Sequence, residues 1–373
     1  MCMTLWTSNF FWFYTRGSML ILLILAGASC FLAACVILLI MANNNKETST
    51  GGGGGGSSSG GGSSSGGTLR YADLPALDTQ GAFSPTKVGL KCKNGDCTFG
   101  LYKISSGKAS ITLSTHLSGG VFKATYDGVE FVNPVAIVGG SMQTALVYDG
   151  KQEYNPTEAG CGDLDSFTEK SSSKLLKLRG TSKAVYTSVQ AAYFNQPGKV
   201  NKGIMTANKT VLSDTIISKR IEFIDSGACD YTVEIRNPAN RHWFSLIEVL
   251  CCWTPRAACQ QMVVLQDGGW KTAPDNPQPI LYFADKCDGL AMSNSQGSAA
   301  MGVKLLDFPS GGKWELARYG TPQSTGSWRK WSITQRWNPG KNQSFRMPGT
   351  PFVWKIRLFF GTLSQVKARI AAA

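Results

Sequence analysis

Histidine is scarce in this 373-residue chain, which contains only His116 and His242. It also has no Cys-x-x-Cys pair, so the usual ligands of a zinc site are missing. Outside the Gly/Ser-rich segment at residues 51–67 the sequence has no Gly-x-Ser-x-Gly nucleophile turn, and it has no phosphate-binding P-loop and no Gly-x-Gly-x-x-Gly segment after a strand. These absences exclude the enzyme classes that are most easily recognised from a motif.

Acidic residues are outnumbered by basic ones, 24 against 37, and the formal net charge is +13. A basic exterior suits an anionic partner such as an acidic or sulfated polysaccharide or a phospholipid surface. The positive charges are scattered singly, and no basic helix or RNA-binding fingerprint is present, so the sequence predicts no nucleic-acid partner. The alternative is a solvated basic surface that has no charged partner.

One long apolar run, residues 19–42, carries no charge over 24 positions. This length crosses a hydrocarbon core of about 30 Å as a helix. It exceeds the apolar region of an ordinary signal peptide, and an aromatic-rich flank at residues 1–18 precedes it. We therefore expect an uncleaved transmembrane signal anchor, with a cleaved signal peptide as the alternative.

A Gly/Ser-rich segment follows the apolar run. The sequence GGGGGGSSSGGGSSSGG is typical of a flexible tether, and it lies within a predicted linker and lead-in at residues 43–87. The predicted order is thus flank, membrane anchor, linker and a globular domain at residues 88–373.

Of the eleven cysteines, three lie in or near the apolar run and eight in the globular part, an even number that is compatible with disulfides and an oxidising compartment. Cys92 and Cys97 flank an Asn-Gly turn and are the most local candidates for a disulfide. Small buried thiols are the alternative reading of the other cysteines. Two glycosylation sequons, at Asn208 and Asn342, agree with an extracellular, periplasmic or lumenal domain. We therefore expect a single-pass membrane protein whose globular domain lies outside the cytoplasm.

Alternation of apolar and polar residues dominates the region after the linker. Asp127-Gly128 and Asp149-Gly150 each separate two alternating runs, which predicts two hairpins. More than a dozen such runs and almost no helical pattern predict an all-β domain, a large antiparallel β-sandwich. The one expected helix begins near Thr362. A propeller is less favoured because no repeat of fixed period occurs.

The stretch KQEYNPTEAGCGDLD interrupts this alternation. It contains Asn155, Glu158 and Asp163 beside a proline and two glycines, and its carboxylates reverse the charge of the basic domain. Carboxylates of this kind accept hydrogen bonds from sugar hydroxyls, bind calcium or act as general acid or base. The regular spacing of a calcium loop is absent, so we expect no cofactor, with calcium as a minority alternative. Gln143, one hairpin earlier, is a candidate sugar contact.

Two further groups are candidates for the same site. His242 and Glu248 are separated by an even step, so on a continuous strand both point to one face. There they would form an acid/base pair, although a structural salt bridge explains them equally well. Trp337 and Asn338 suit a sugar platform, because an indole ring stacks on a pyranose, while core packing is the commoner fate of tryptophan.

The segment NPTEAG, with GGSMQTALVYDGKQEY before it and SSSKLLKL after it, resembles a family of largely uncharacterised, mostly bacterial proteins. The resemblance extends over most of residues 88–370, including LSDTIISKRIEF, RHWFSLIEVL and the C-terminal strand and helix. Those proteins look similar to the galactose-mutarotase-like supersandwich, in which a His and a Glu transfer protons at the sugar ring. The resemblance implies that His242 and either Glu158 or Glu248 have these roles here.

The function expected from the sequence is therefore carbohydrate binding or processing outside the cytoplasm, with chemistry of the sugar epimerase, glycoside hydrolase or polysaccharide lyase type. The alternative is a non-catalytic, lectin-like surface protein that adheres to anionic glycans. Fold analogy alone does not decide between them.

Overall fold

The computed structural model describes residues 74–77, 82–92, 95–132, 142–148, 156–160, 171–193, 200–201, 204–205, 212–238, 243–273, 280–283, 287–310, 313–319, 328–336, 345–346 and 351–373. All of these belong to one compact unit, Ser64–Ala373. No helix in these segments is long and apolar enough to cross a bilayer, and the predicted anchor at residues 19–42 lies outside them.

Five strands form a small antiparallel sheet in sequential order. They are β1 Ser84–Cys92, β2 Gly95–Ser106, β3 Ala109–Ser114, β4 Gly120–Tyr126 and β5 Val129–Glu130. The first strand begins at Ser84, within the predicted linker and lead-in. The β4–β5 hairpin confirms the turn expected at Asp127-Gly128, where both residues have positive φ (49° and 80°).

The other strands are β6 Gln143–Tyr148, β7 Pro156–Thr157, β8 Lys174–Gly180, β9 Ala184–Tyr193, β10 Val200–Asn201, β11 Ile204–Met205, β12 Leu212–Asp225, β13 Ala228–Arg236, β14 Trp243–Pro255, β15 Gln261–Gln266, β16 Gly269–Thr272, β17 Ile280–Phe283, β18 Cys287–Ser293, β19 Ala300–Asp307, β20 Lys313–Tyr319, β21 Trp328–Arg336, β22 Phe345–Arg346 and β23 Phe352–Gly361. β10 and β11 form a separate ladder. The remainder form a 16-stranded sheet in the order β16-β15-β18-β19-β23-β13-β12-β9-β7-β6-β14-β21-β20-β17. There β8 pairs with β9 and β22 with β14.

Alternating side chains divide the large sheet into two faces. The inner face packs into one hydrophobic core, to which β23 contributes Trp354, Ile356, Leu358 and Phe360, as its alternation predicts. Trp331 and Ile333 of β21 lie in the same core. The opposite side of each strand is called the outer face below. The architecture confirms the expectation of a mostly β domain built from large antiparallel sheets.

The C-terminal helix α1, Leu363–Ala372, confirms the expected capping box. The Thr362 side chain accepts from the Gln365 backbone N–H, and the Gln365 side chain accepts from the Thr362 N–H. Val366 and Ile370 of the helix are fully buried in a second, smaller core cluster. A Cβ added at Gly302 of β19 would lie 2.4 Å from Val366, so the close packing of helix on sheet requires glycine there.

Candidate functional site

Residues 156–160 of the NPTEAG segment form a short strand and a tight turn between β6 and β9. Thr157 pairs with Ala145 on one side and Ala192 on the other. Its hydroxyl donates to the Gly160 carbonyl (2.6 Å), and the Gly160 N–H donates to the Thr157 carbonyl (3.2 Å). Gly160 has φ +79°, and a Cβ there would lie 2.5 Å from Ser171 Oγ. The glycine is therefore required by both backbone conformation and space.

Glu158 lies in this turn and turns its side chain toward the inner face. Its carboxylate is ion-paired with Lys219 Nζ, and both side chains are only 1% exposed. The Thr144 N–H donates to the other carboxylate oxygen (3.3 Å). Lys219 stands on β12 between Ile217 and Ile221, both of which belong to the core. Burial lowers the pKa of Lys219 to about 7.

The support of this turn includes a half-buried histidine. The His116 carbonyl accepts from the Ser171 N–H (2.8 Å), and the His116 ring stacks on Phe99 with centroids 4.1 Å apart. Burial lowers the pKa of His116 from 6.5 to about 4. The unfolded chain thus binds a proton more readily, and the contribution of His116 to stability is lost as the pH falls from 6.5 toward 4.

We expect the unfolding free energy to fall by about 2 kcal/mol from pH 7 to pH 5 because of His116, since each unit of pKa difference corresponds to about 1.4 kcal/mol. His116→Phe keeps an aromatic stack and removes the titration, so its unfolding free energy should fall by about 2 kcal/mol less over the same pH range. Urea unfolding of both proteins at the two pH values measures the difference. Equal pH dependence of the two would contradict the assignment.

A second polar group lies on the outer face, where β6, β14 and β21 are neighbours. Gln143, Cys251 and Ser332 form one row across these strands. Glu248, three residues before Cys251, shares their face because Val249 forms a bulge in β14. Lys330 Nζ contacts the Glu248 carboxylate at 2.7 Å and lies 5.4 Å from the centre of the Trp253 ring. A carboxylate, an ammonium group, an amide, a hydroxyl and an indole therefore meet on this face.

The neighbouring row contains a second carboxylate. Glu248 pairs with Thr334 of β21, and Thr334 pairs with Glu315 of β20. Arg336 Nε lies 3.3 Å from one Glu315 carboxylate oxygen. The other oxygen, Oε2, is buried and has no hydrogen-bond partner among the described residues, although such groups usually have one. A hydroxyl of a bound ligand could supply it. We call Gln143, Glu248, Trp253, Glu315, Lys330 and Thr334 the outer-face site.

Cys251 in the floor of this site does not act as a nucleophile. Burial raises the pKa of its thiol, which holds it in the neutral form. The adjacent Cys252 points into the core and lies 3.7 Å from the Phe131 carbonyl, as expected for neighbours on a strand. Five cysteines of the described segments are buried: Cys229, Cys251, Cys252, Cys259 and Cys287.

The structure brings some predicted site residues together and separates others. Gln143 and Glu248 share the outer face, whereas Glu158 lies on the inner face of the same sheet. One contact joins the two groups, because the Ala159 N–H donates to the Gln143 side-chain carbonyl (3.0 Å). The remaining predicted site residues lie outside the described segments: Asn155, Asp163, His242, Trp337, Asn338 and the sequon residues Asn208 and Asn342.

The even-step argument for His242 and Glu248 does not hold for this strand. The pairing of β14 with β6 shifts between Phe244 and Leu246, so β14 is not a continuous regular strand. Phe244 consequently lies in the core while Glu248 faces outward, although an even step separates them. The position of His242 itself is outside the described segments.

The predicted disulfide is not supported. The β1–β2 register pairs Cys92 with Gly95, so Cys97 does not stand directly opposite Cys92, and the side chains of both cysteines are outside the described parts. For metal binding, the described residues contain no group of three or more His, Cys, Asp or Glu side chains that could hold an ion.

Sequence reasoning missed Lys219, Trp253, Glu315 and Lys330. Lys219 had a usable signal, because it occupies an inward position of an otherwise apolar alternation, Ile217, Lys219, Ile221. A lysine there requires a buried partner. Glu315 and Lys330 had no such signal, since their common face follows from strand pairing over long distances in the chain.

Comparison with known proteins gave matches among solved structures alone, since no protein-family model and no curated protein matches the chain. A galactose mutarotase-like protein from Clostridium acetobutylicum is similar, with 8% identity over 75% of this chain and 99% of its own and a TM-score of 0.41. The GalM/aldose epimerase homologue from C. elegans shares 11% identity over 71% of this chain and 99% of its own, with a TM-score of 0.38. Heparan sulfate lyase from Pedobacter heparinus shares 7% identity over 75% of this chain and 37% of its own, with a TM-score of 0.35. The likeness is one of fold, and it is distant.

Proposed function

We propose that the outer-face site binds carbohydrate and transfers protons on it, with Glu248 as the general acid or base. The observation that carries this proposal is the position of Glu248. Its carboxylate is 13% exposed, is held by Lys330 and shares its face with Gln143 and Trp253. A partly exposed carboxylate next to hydrogen-bonding groups and an indole is the chemistry that sugar rings require.

Each group has a role that follows from its chemistry. The Gln143 side-chain carbonyl is fixed as an acceptor by the Ala159 N–H, which orients the amide. Lys330 stabilises negative charge on Glu248 and on a developing oxyanion. Glu315 offers its unpartnered Oε2 to a ligand hydroxyl.

The two carboxylates stand on strands that are separated by β21. Glu248 and Glu315 are two strand spacings apart, about 10 Å between backbones. Carboxyl groups of inverting glycosidases are roughly 6.5–9.5 Å apart, and those of retaining enzymes about 5 Å. A carboxyl separation in the first range would favour inverting hydrolysis and one in the second retaining hydrolysis, while single-carboxylate epimerisation or elimination is compatible with Glu248 alone.

A lectin-like module is the second candidate, and one observation favours it. Both carboxylates already have a cation partner, Lys330 for Glu248 and Arg336 for Glu315. Ion pairs of this kind also serve a binding surface that performs no chemistry.

As a further part of the proposal, residues 19–42 anchor the domain to a membrane on its extracytoplasmic side, and the Gly/Ser tether separates it from the bilayer.

A paired substitution tests the proposal. We expect Glu248→Gln with Glu315→Gln to abolish turnover of the sugars that the wild-type protein converts, read as anomer exchange, new reducing ends or unsaturated products. The matched control is Asp127→Asn with Asp267→Asn, two exposed turn carboxylates at positive φ (49° and 52°), a conformation that asparagine tolerates. Glycan binding without turnover in the wild type would support the lectin-like candidate. Full turnover in the Glu248/Glu315 variant would refute the site.

A further inference from the structure

A bulge in β8 aligns three cations on the outer face. The pairing of β8 with β9 shifts between Leu175 and Lys177, which leaves Leu176 as the extra residue. Lys174 and Lys177 are three positions apart and would otherwise point to opposite faces. With the bulge, Lys174, Lys177 and Arg179 face the same way, at steps of about 7 Å along the strand.

These cations begin three rows that cross four strands. The rows are Lys174, Gln190, Ile216, Arg236; Lys177, Ser188, Ser218, Glu234; and Arg179, Tyr186, Arg220, Thr232. We call these three rows the basic strip. It holds five cations and one carboxylate, Glu234, which is ion-paired with Arg236 at 3.0 Å. Arg220 also pairs with Glu222 of the next row. Arg179 donates to the Leu74 carbonyl (2.8 Å), and the net charge of the strip is positive.

The centre of the basic strip is polar and rigid. Ser188, Ser218 and Tyr186 are each at most 5% exposed, and the Ser218 hydroxyl donates to Ser188 Oγ (2.9 Å). Lys174 and Lys177 stand exposed at its edge. These hydroxyls are closed to a ligand, since Tyr186 packs against Leu74, and the exposed cations at the edge suit a ligand that carries regularly spaced negative charges.

We propose that the basic strip binds an anionic polysaccharide, whose acidic groups contact the exposed cations of β8. The strip lies on the same outer face as the outer-face site, which is reached from β9 through β7 and β6. If the proposed function holds, the strip names its substrate class as an acidic polymer. The binding itself does not depend on catalysis.

Protection of a sheet edge is the competing explanation. β8 pairs with β9 and, on its other side, has only an isolated bridge between Arg179 and Ala76 among the described residues. Lysines on such strands prevent edge-to-edge association. This explanation requires positive charge on β8, but it does not require affinity for a polyanion.

The test is calorimetric titration of the full chain, in detergent, with polygalacturonate, heparin and neutral dextran at low salt. We expect both polyanions to bind, dextran to bind far more weakly, and Lys174→Gln with Lys177→Gln to weaken polyanion binding about tenfold. The matched control is Lys87→Gln with Lys103→Gln, which removes two exposed lysines from the small sheet. The control should change affinity less than twofold.

Three results would overturn the proposal. The first is that the control pair weakens polyanion binding as much as the β8 pair does. The second is that the wild type binds dextran as tightly as the polyanions. The third is that the β8 variant keeps its polyanion affinity and self-associates, which would assign the lysines to edge protection. Failure of the outer-face site is separate, because it appears as unaltered turnover in the Glu248/Glu315 variant while polyanion binding stays intact.

Discussion

Replacement of Glu158 by alanine is expected to lower the unfolding free energy by about 3–5 kcal/mol, because it leaves the Lys219 ammonium buried without its carboxylate. Both side chains are 1% exposed, so water cannot replace the lost partner. Lys219→Ala should have a similar cost, since it leaves the Glu158 carboxylate unpaired in the same place. Urea unfolding at pH 7 measures both changes as a shift of the midpoint at constant slope.

The matched control removes both charges together. Glu158→Gln with Lys219→Met keeps the size of both side chains, and we expect it to recover most of the lost stability or to exceed the wild type, as replaced buried ion pairs often do. A double variant as unstable as the single ones would show that the ion pair is not the source of the effect.

The same proteins test the predicted acid/base role of Glu158. If Glu158 is structural, the folded double variant should retain turnover.

The strands of this domain were predictable because one buried face imposes a period of two on the sequence. The alternation around Trp354 and Ile356 of β23 is read directly from the sequence, and so is the turn at Asp127. Bulges could not be read this way. Val249 and Leu176 each insert one residue, and nothing in their local sequence marks them. They decide which of the following side chains face outward.

The most specific segment of the sequence, NPTEAG, illustrates a different limit. Its glycine is needed for backbone geometry and its glutamate pairs with Lys219, which is 61 positions away in the chain. A carboxylate in a loop looks the same in a sequence whether it faces solvent or the core. Only the position of its partner distinguishes the two, and strand order determines that position.

Glu248→Gln is expected to reduce turnover by about 10²- to 10⁴-fold, the usual contribution of a positioned acid or base. Glutamine keeps the shape and one hydrogen-bond acceptor near Lys330, so the fold should persist and sugar affinity should change little. Steady-state kinetics on a converted sugar separate the two effects, because a lost proton-transfer group lowers kcat and leaves KM nearly constant. A rise in KM at unchanged kcat would assign Glu248 to binding.

Combining the two carboxylate variants then shows whether Glu248 and Glu315 act on one bond. If they work as a unit, Glu315→Gln alone should lower kcat and the double variant should be scarcely worse than the more damaged single one, because either loss stops the same step. Independent contributions would instead multiply.

Glu315 has a distinct expected signature, because we propose that its Oε2 accepts a hydrogen bond from a ligand hydroxyl. The wild type should therefore discriminate against the sugar that lacks this hydroxyl, and Glu315→Gln should discriminate less. Equal discrimination by both proteins would remove Glu315 from the site and leave proton transfer to Glu248 alone.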